Sequence, residues 1–360
     1  MRRLPVFFVV DVSESMIGEP ITDVGAGMQA TIQSLRQDPY ALETVYVSII
    51  VFAGKAKTLV PLTDICAFYP PQFPVGGGTS LGAAIKHLIN ELESKLVKND
   101  GVNKGDWKPI IFLFTDGVPT DQTDAAIGEW EAKFKSKVTM IAISVGPNAD
   151  LSLLRRLTDK VLLIDDTKPE TFQEFFKWVT ASISTHSQKI DSTAGEDFQL
   201  KKLNDDFVRK VNLEKDVPSQ QMIDENFVVL NAKCQRTNAP YLIKYKRDPP
   251  EDEWAEIISE GYGGRNTGGG FSLAGAFPVP SPAEYQALSV DGSTSRTISA
   301  GELFGNPSCP CCGNQFGSAT CACGGIHCVH GIGENRCPWC GQTSIYDVGD
   351  GDFDISRGLG

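Results

Sequence analysis

Short apolar runs recur through the first half of this chain, and stretches with helical spacing lie between them. Val6–Val10, Val45–Phe52, Ile110–Phe114 and Met140–Val145 are apolar almost throughout, as strands are when both faces of their sheet are covered. Between them, Ile21, Val24, Met28, Ile32 and Leu35 fall on one side of a helix over 20–35. Leu81, Ile85, Leu88, Ile89, Leu92 and Leu96 do the same for a second helix. Thr58–Leu62 reads as a strand folding back on Val45–Phe52 through Ala53-Gly54-Lys55, and Val161–Ile164 as a further strand. Helices are expected near 123–135, 150–158 and 171–184. This alternation predicts an α/β fold, a mostly parallel central sheet flanked by helices. In such sheets ligands bind outside the carboxyl ends of the strands.

Oxygen-bearing side chains collect at those ends. Asp11-Val-Ser13-Glu-Ser15 follows the first run, Thr79 follows Gly76-Gly77-Gly78 and opens a helix, and Asp116-Gly117 follows Ile110–Phe114. Taken singly, each piece is an ordinary turn former or helix cap. Together, hydroxyls and carboxylates converging from separate loops suit a hard divalent cation such as Mg²⁺, with a position left for a partner's carboxylate. The ordered set resembles the metal-ion-dependent adhesion site of von Willebrand factor A (vWA) domains, over residues 1–187 and with every motif position present. That resemblance implies a Rossmann-like vWA domain. It also implies a Mg²⁺ site in which Ser13, Ser15 and Thr79 offer hydroxyls, Asp11 and Asp116 bind directly or through water, and a partner protein supplies an Asp or Glu. Ser80 is expected to hydrogen-bond at the helix start, and Asp121 and Asp124 to cap helices.

The ten cysteines are unevenly placed: Cys66 and Cys234 stand alone, and eight fall within 309–340. Cys309-Pro-Cys311-Cys312-Gly313 and Cys337-Pro-Trp-Cys340-Gly341 are knuckle sequences of the kind whose paired thiolates satisfy tetrahedral Zn²⁺. Between them Cys321, Cys323, Cys328 and His330 offer four further ligands, so one or two Zn²⁺ ions are expected. Two pairings stay open. One is an outer ribbon of Cys309, Cys312, Cys337 and Cys340 around an inner set; the other is a cross-brace. Cys311 and His327 are expected to be spectators. An adhesion-site domain followed by a cysteine-rich tail resembles the TerY-like proteins associated with bacterial tellurite resistance. The likeness implies a stress-response module shared with a PP2C-type phosphatase and a Ser/Thr kinase.

The 360 residues divide into an α/β domain at 1–187, a partly helical linker at 188–226, a small β-rich region at 227–304, a zinc-binding module at 305–345 and an acidic tail at 346–360 expected to be disordered. A net charge of −12 argues against nucleic acid, which needs Lys and Arg to neutralise phosphates. Residues 301–360 repeat that balance, with six acidic residues against Arg336 and Arg357, so a nucleic-acid-associated zinc ribbon is the weaker alternative. No apolar stretch approaches a membrane span, and the residues after Arg2-Arg3 are too short an apolar run for an export signal; a cytoplasmic location is expected. His87 reads as a surface residue on the polar side of its helix and His186 as a helix-end residue suited to the macrodipole, which favours a non-enzymatic interaction protein. Partnership with an AAA+ ATPase is a further alternative.

Overall fold

Strand β1 (Leu4–Asp11) is buried along its whole length, as its unbroken apolar run requires. In this computed structural model, which describes residues 2–100, 104–146, 149–164, 169–189, 208–210, 226–248, 270–290, 297–346 and 353–358, β1 is an interior strand of a seven-stranded sheet. The elements that follow are α1 (Glu19–Leu35), α2 (Pro39–Thr44), β2 (Val45–Phe52), β3 (Ala56–Asp64), α3 (Leu81–Lys95), β4 (Ile110–Thr115), α4 (Asp124–Lys133), β5 (Thr139–Val145), α5 (Leu151–Leu157), β6 (Val161–Ile164), α6 (Pro169–Lys189) and β7 (Val208–Lys210). The strand order is β3-β2-β1-β4-β5-β6-β7. β1, β2, β4, β5 and β6 run parallel, and the edge strands β3 and β7 are antiparallel.

The pleat of β1 sorts its side chains between two cores. Val6, Phe8 and Val10 join α1 and α6 on one face. Phe7 and Val9 join α3, α4 and α5 on the other. Chain direction matters more for function. From β1 the chain moves to β2 on one side, then returns to place β4 on the other. That reversal makes the carboxyl ends of β1 and β4 the switch point, where an open α/β sheet forms a crevice.

The first compact unit comprises Met1–Met222 with Gln286–Val290, and the second Ile223–Tyr285 with Asp291–Gly360. The second contains β8 (Phe227–Lys233), β9 (Pro240–Arg247), β10 (Phe271–Pro278), α7 (Pro282–Leu288, whose last residues count with the first unit), β11 (Thr297–Ser299), β12 (Leu303–Phe304), β13 (Gly317–Thr320), β14 (Ile326–Val329), β15 (Gly333–Arg336), β16 (Thr343–Tyr346) and β17 (Asp354–Ser356). A six-stranded sheet runs β12-β10-β9-β8-β14-β13.

This sheet corrects the expected division at residue 304. Strands from the β-rich stretch and from the cysteine-rich stretch share one sheet and one core, in which Val228, Tyr241 and Ile243 pack with Cys309 and Cys328. The tail also differs from expectation. Asp354–Ser356 pairs antiparallel with Thr297–Ser299, Ile355 is buried, and the Gly358 N–H donates to the Val229 carbonyl at 2.8 Å. One apolar side chain and a free strand edge order a segment whose composition is acidic. Most of 188–226 and the glycine-rich stretch 261–269 lie outside the described residues. Among the described residues, no helix is long and apolar enough to cross a membrane.

Candidate metal centres

Asp11 closes β1 and Thr115 closes β4, so the sheet register sets these side chains opposite each other at the switch point. Thr115 Oγ1 donates to Asp11 Oδ2 at 2.7 Å, and the Ser13 N–H donates to Asp11 Oδ1 at 2.9 Å. The chain then turns through a short 3₁₀ helix at Glu14–Met16. Ser13 Oγ lies 3.0 Å from Ser15 Oγ, and Ser15 Oγ donates to Asp116 Oδ1 at 2.8 Å. Asp11, Ser13, Ser15, Thr79 and Asp116 are each 4% exposed or less, so this is a buried polar cluster and not a solvated turn.

Thr79 reaches the cluster from a third loop. A Cβ placed on Gly117 would lie 3.6 Å from Thr79 Oγ1 and 3.8 Å from Ser15 Oγ, which brings the threonine and serine hydroxyls to the same point. Thr79 is held from behind: its N–H donates to Thr120 Oγ1 at 3.0 Å, and its carbonyl accepts from the Thr120 N–H at 2.8 Å. Asp121 anchors the next turn, accepting from the N–H groups of Gly82 and Ala83 at 3.1 and 2.9 Å. It therefore caps α3, which precedes it, and not the helix that follows it. Asp124 is exposed at the first turn of α4 and pairs with Arg156 at 2.6 Å. Ser80 contributes its carbonyl to the start of α3, with no side-chain cap bond.

The donor set has the chemistry of a hard-cation site. Burial pushes the Asp11 carboxyl up to about 6 against the hydrogen bonds from Ser13 and Thr115. Two buried carboxylates, Asp11 held by Ser13 and Thr115 and Asp116 by Ser15, carry negative charge that a cation would offset.

The cysteines form two groups that alternate along 309–340 as a cross-brace does, and not an outer ribbon around an inner set. Cys234, Cys309, Cys312 and Cys328 form one; Cys321, Cys323, Cys337 and Cys340 form the other, with all ligand atoms of a group within 4.8 Å of one another. Each group takes one knuckle: Cys309 with Cys312, and Cys337 with Cys340. The Sγ–Sγ separations are 3.9 Å for Cys312–Cys328 and 3.8 Å for both Cys321–Cys340 and Cys323–Cys337. Four thiolates each about 2.3 Å from a central metal make a tetrahedron with edges of about 3.8 Å. A disulfide would bring sulfurs to about 2.05 Å, so these are ligand spacings. The Cys323 backbone N–H, ahead of other donors, holds Cys321 down to about 6, while burial pushes Cys309 well above the ordinary thiol range.

His330, expected as a ligand, is exposed and stands outside both groups; Cys234 takes its place. A local signal for Cys234 exists in the sequence. In both knuckles the cysteine carbonyl accepts from a glycine N–H four residues on: Gly313 to Cys309 at 2.8 Å and Gly341 to Cys337 at 2.9 Å, with φ of 72° and 76°. Asn238 does the same to Cys234 at 2.9 Å, with φ of 58°. Asn tolerates this left-handed conformation better than other non-glycine residues. Cys234-Gln-Arg-Thr-Asn238 is thus a half-knuckle, with Asn in the glycine position and Thr237 where the second cysteine would be.

His327 and Cys311 are outside both groups. His327 is fully buried on β14. Its Nδ1 lies 3.0 Å from the Cys328 carbonyl, and its Nε2 lies 2.9 Å from the Tyr346 hydroxyl. A carbonyl only accepts, so Nδ1 carries the proton and Nε2 accepts from tyrosine. Burial keeps this imidazole neutral by lowering its pKa. Such contacts hold the strand that carries Cys328.

The family models agree with this division. The von Willebrand factor type A domain matches residues 6–178, and the TerY-C metal binding domain matches residues 224–360. No curated protein matches the chain. Among solved structures, it is similar to a von Willebrand factor type A protein from Catenulispora acidiphila, with 16% identity, a TM-score of 0.40, and 51% of this chain against 43% of that one covered. It is similar also to the pilus adhesin SpaC from Lactobacillus rhamnosus GG in its open conformation (16%, TM-score 0.42, covering 52% and 30%). A third is proximal thread matrix protein 1 from the mussel byssus with a zinc-occupied MIDAS motif (17%, TM-score 0.37, covering 50% and 46%). The chain thus spans less than half the length of each of these three solved chains. Its own sequence joins a von Willebrand factor type A domain to a TerY-C metal binding domain.

Proposed function

We propose that this protein is a non-enzymatic, metal-dependent adaptor: a divalent cation, Mg²⁺ in the cell, held by Asp11, Ser13, Ser15, Thr79 and Asp116 receives a carboxylate from a protein partner. The observation that carries the reading is the convergence of these five side chains from three loops at the β1–β4 switch point. The cation supplies positive charge for an incoming Asp or Glu. The chain's own residues do the rest: Thr115 and the Ser13 N–H orient Asp11, and Thr120 fixes the backbone of Thr79. Zn²⁺ in the two cysteine groups is structural in this reading, because each group offers four thiolates and leaves no open ligand position.

The partner class that fits is a PP2C-type phosphatase or Ser/Thr kinase of a bacterial tellurite-resistance or stress-response module, acting in the cytoplasm. Affinity capture tests this. The full chain with Mg²⁺ should retain a partner that EDTA releases, and Asp116→Ala should retain none while keeping its far-UV circular dichroism. Identical capture with Mg²⁺ and with EDTA would sink the proposal. Recovery of an AAA+ ATPase alone would keep the adhesion site and replace the partner.

A further inference from the structure

Three glycines line a slot beside the Thr79 loop, and a distant stretch of the same chain fills it. Residues Gln286–Val290 belong to the first compact unit, although they come more than a hundred residues after its last parallel strand. Leu288 is 1% exposed and belongs to the same apolar core as Val10, Val12 and Ala53. The Lys55 N–H donates to the Leu288 carbonyl at 2.8 Å. The Gly77 N–H donates to Ser289 Oγ at 2.8 Å, and the Val290 N–H donates to the Gly77 carbonyl at 3.2 Å.

The slot admits no larger residue. A Cβ on Gly76 would lie 2.7 Å from Leu288 Cβ, one on Gly54 would lie 2.2 Å from the Val290 nitrogen, and one on Gly78 would lie 2.9 Å from Val290 Cγ2. Gly78 also has a φ of 93°, so its lack of a side chain serves both backbone conformation and contact. The Gly-Gly-Gly run before Thr79 is therefore more than a flexible turn.

Each backbone anchor of this loop can be named. The Gly76 N–H donates to the Val12 carbonyl, Thr79 is held by Thr120, and the Ser80 N–H donates to the Ala53 carbonyl. For Gly77, both the N–H and the carbonyl are paired with Ser289 and Val290. Without those two residues the loop would be anchored on either side of Gly77 and free at it, two residues before the hydroxyl that shares the space over Gly117 with Ser15.

We infer that Leu288, Ser289 and Val290 form a strap of positioning residues that holds the Gly76–Gly78 loop so that Thr79 presents its hydroxyl to the cation site. The inference rests on the reading of Asp11, Ser13, Ser15, Thr79 and Asp116 as a divalent-cation site. Leu288 is the wedge, Ser289 the acceptor for the Gly77 N–H, and Gly54 the floor.

The test uses the full chain and Mn²⁺ as probe, with binding followed by water-proton relaxation and stability by thermal melting. Ser289→Ala and Gly54→Ala should each weaken Mn²⁺ binding by about tenfold, the lower end of what removing a ligand's supporting partner costs. Ser289→Thr should restore it. Leu288→Ala should weaken binding as well and also lower the melting temperature. Wild-type Mn²⁺ affinity in Ser289→Ala and Gly54→Ala, beside an unaltered chain that binds Mn²⁺, would overturn the strap alone. A lower melting temperature with unchanged Mn²⁺ affinity would do so too. An unaltered chain that binds no Mn²⁺ would overturn the cation site, and the strap's role with it.

Discussion

Cys234 shows how much a single side chain decides. It is fully buried, and it completes a group whose other members come from a knuckle and from β14. His330 is exposed and carries no such burden. Cys234→Ala should therefore lower the zinc content of the purified chain from two ions to one, whereas His330→Ala should leave both. Elemental analysis of freshly purified protein checks this, and the reverse result would return His330 to the ligand set. The knuckle cysteines were readable in sequence because Cys-x-x-Cys-Gly is a local turn with its own chemistry. Cys234 was not, because Asn238 stands where glycine marks the other turns and the remaining ligands lie far along the chain.

At the scale of elements, the contact between α1 and α6 depends on a gap. A Cβ on Gly27 would lie 2.0 Å from the ring of Phe176. That ring is buried and stacks on Phe114 of β4, with centroids 5.8 Å apart. Glycine inside a helix costs about 1 kcal/mol in propensity relative to alanine, so Gly27 is kept at a loss to α1 in order to admit α6. Gly27→Ala should accordingly destabilise the first unit by about 1–3 kcal/mol, the usual cost of overpacking, despite the better helix former. A urea unfolding midpoint that rises would show that α6 moves away at no cost. The helices and parallel strands themselves were evident from period and apolar run, since both are properties of neighbouring residues. The close approach of α6 to Gly27 was not, since nothing in 20–35 announces which ring will lie over it.

For the molecule as a whole, the two units rest on different stabilising terms. The first has two apolar cores, one on each face of its sheet. The second has one smaller core in which Cys234, Cys309 and Cys328 are themselves members. Metal binding is folding free energy for a unit of that kind. A strong chelator should unfold the second unit and leave the α/β unit folded, with Gln286–Val290 still packed in it: limited proteolysis should digest the cysteine-rich unit first while the helical circular dichroism of the other persists. Simultaneous loss of both would mean that the units share their stability. The sequence by itself determined the strand–helix alternation, the switch-point oxygens and the knuckles, because apolar period and turn chemistry act between residues close in the chain. Only the tertiary structure decided which thiols group together, that the β-rich and cysteine-rich stretches make one sheet, and that Leu288–Val290 lies in the glycine slot beside Thr79. Those outcomes depend on surfaces meeting across long loops, and the residues involved carry no local pattern that names their partners.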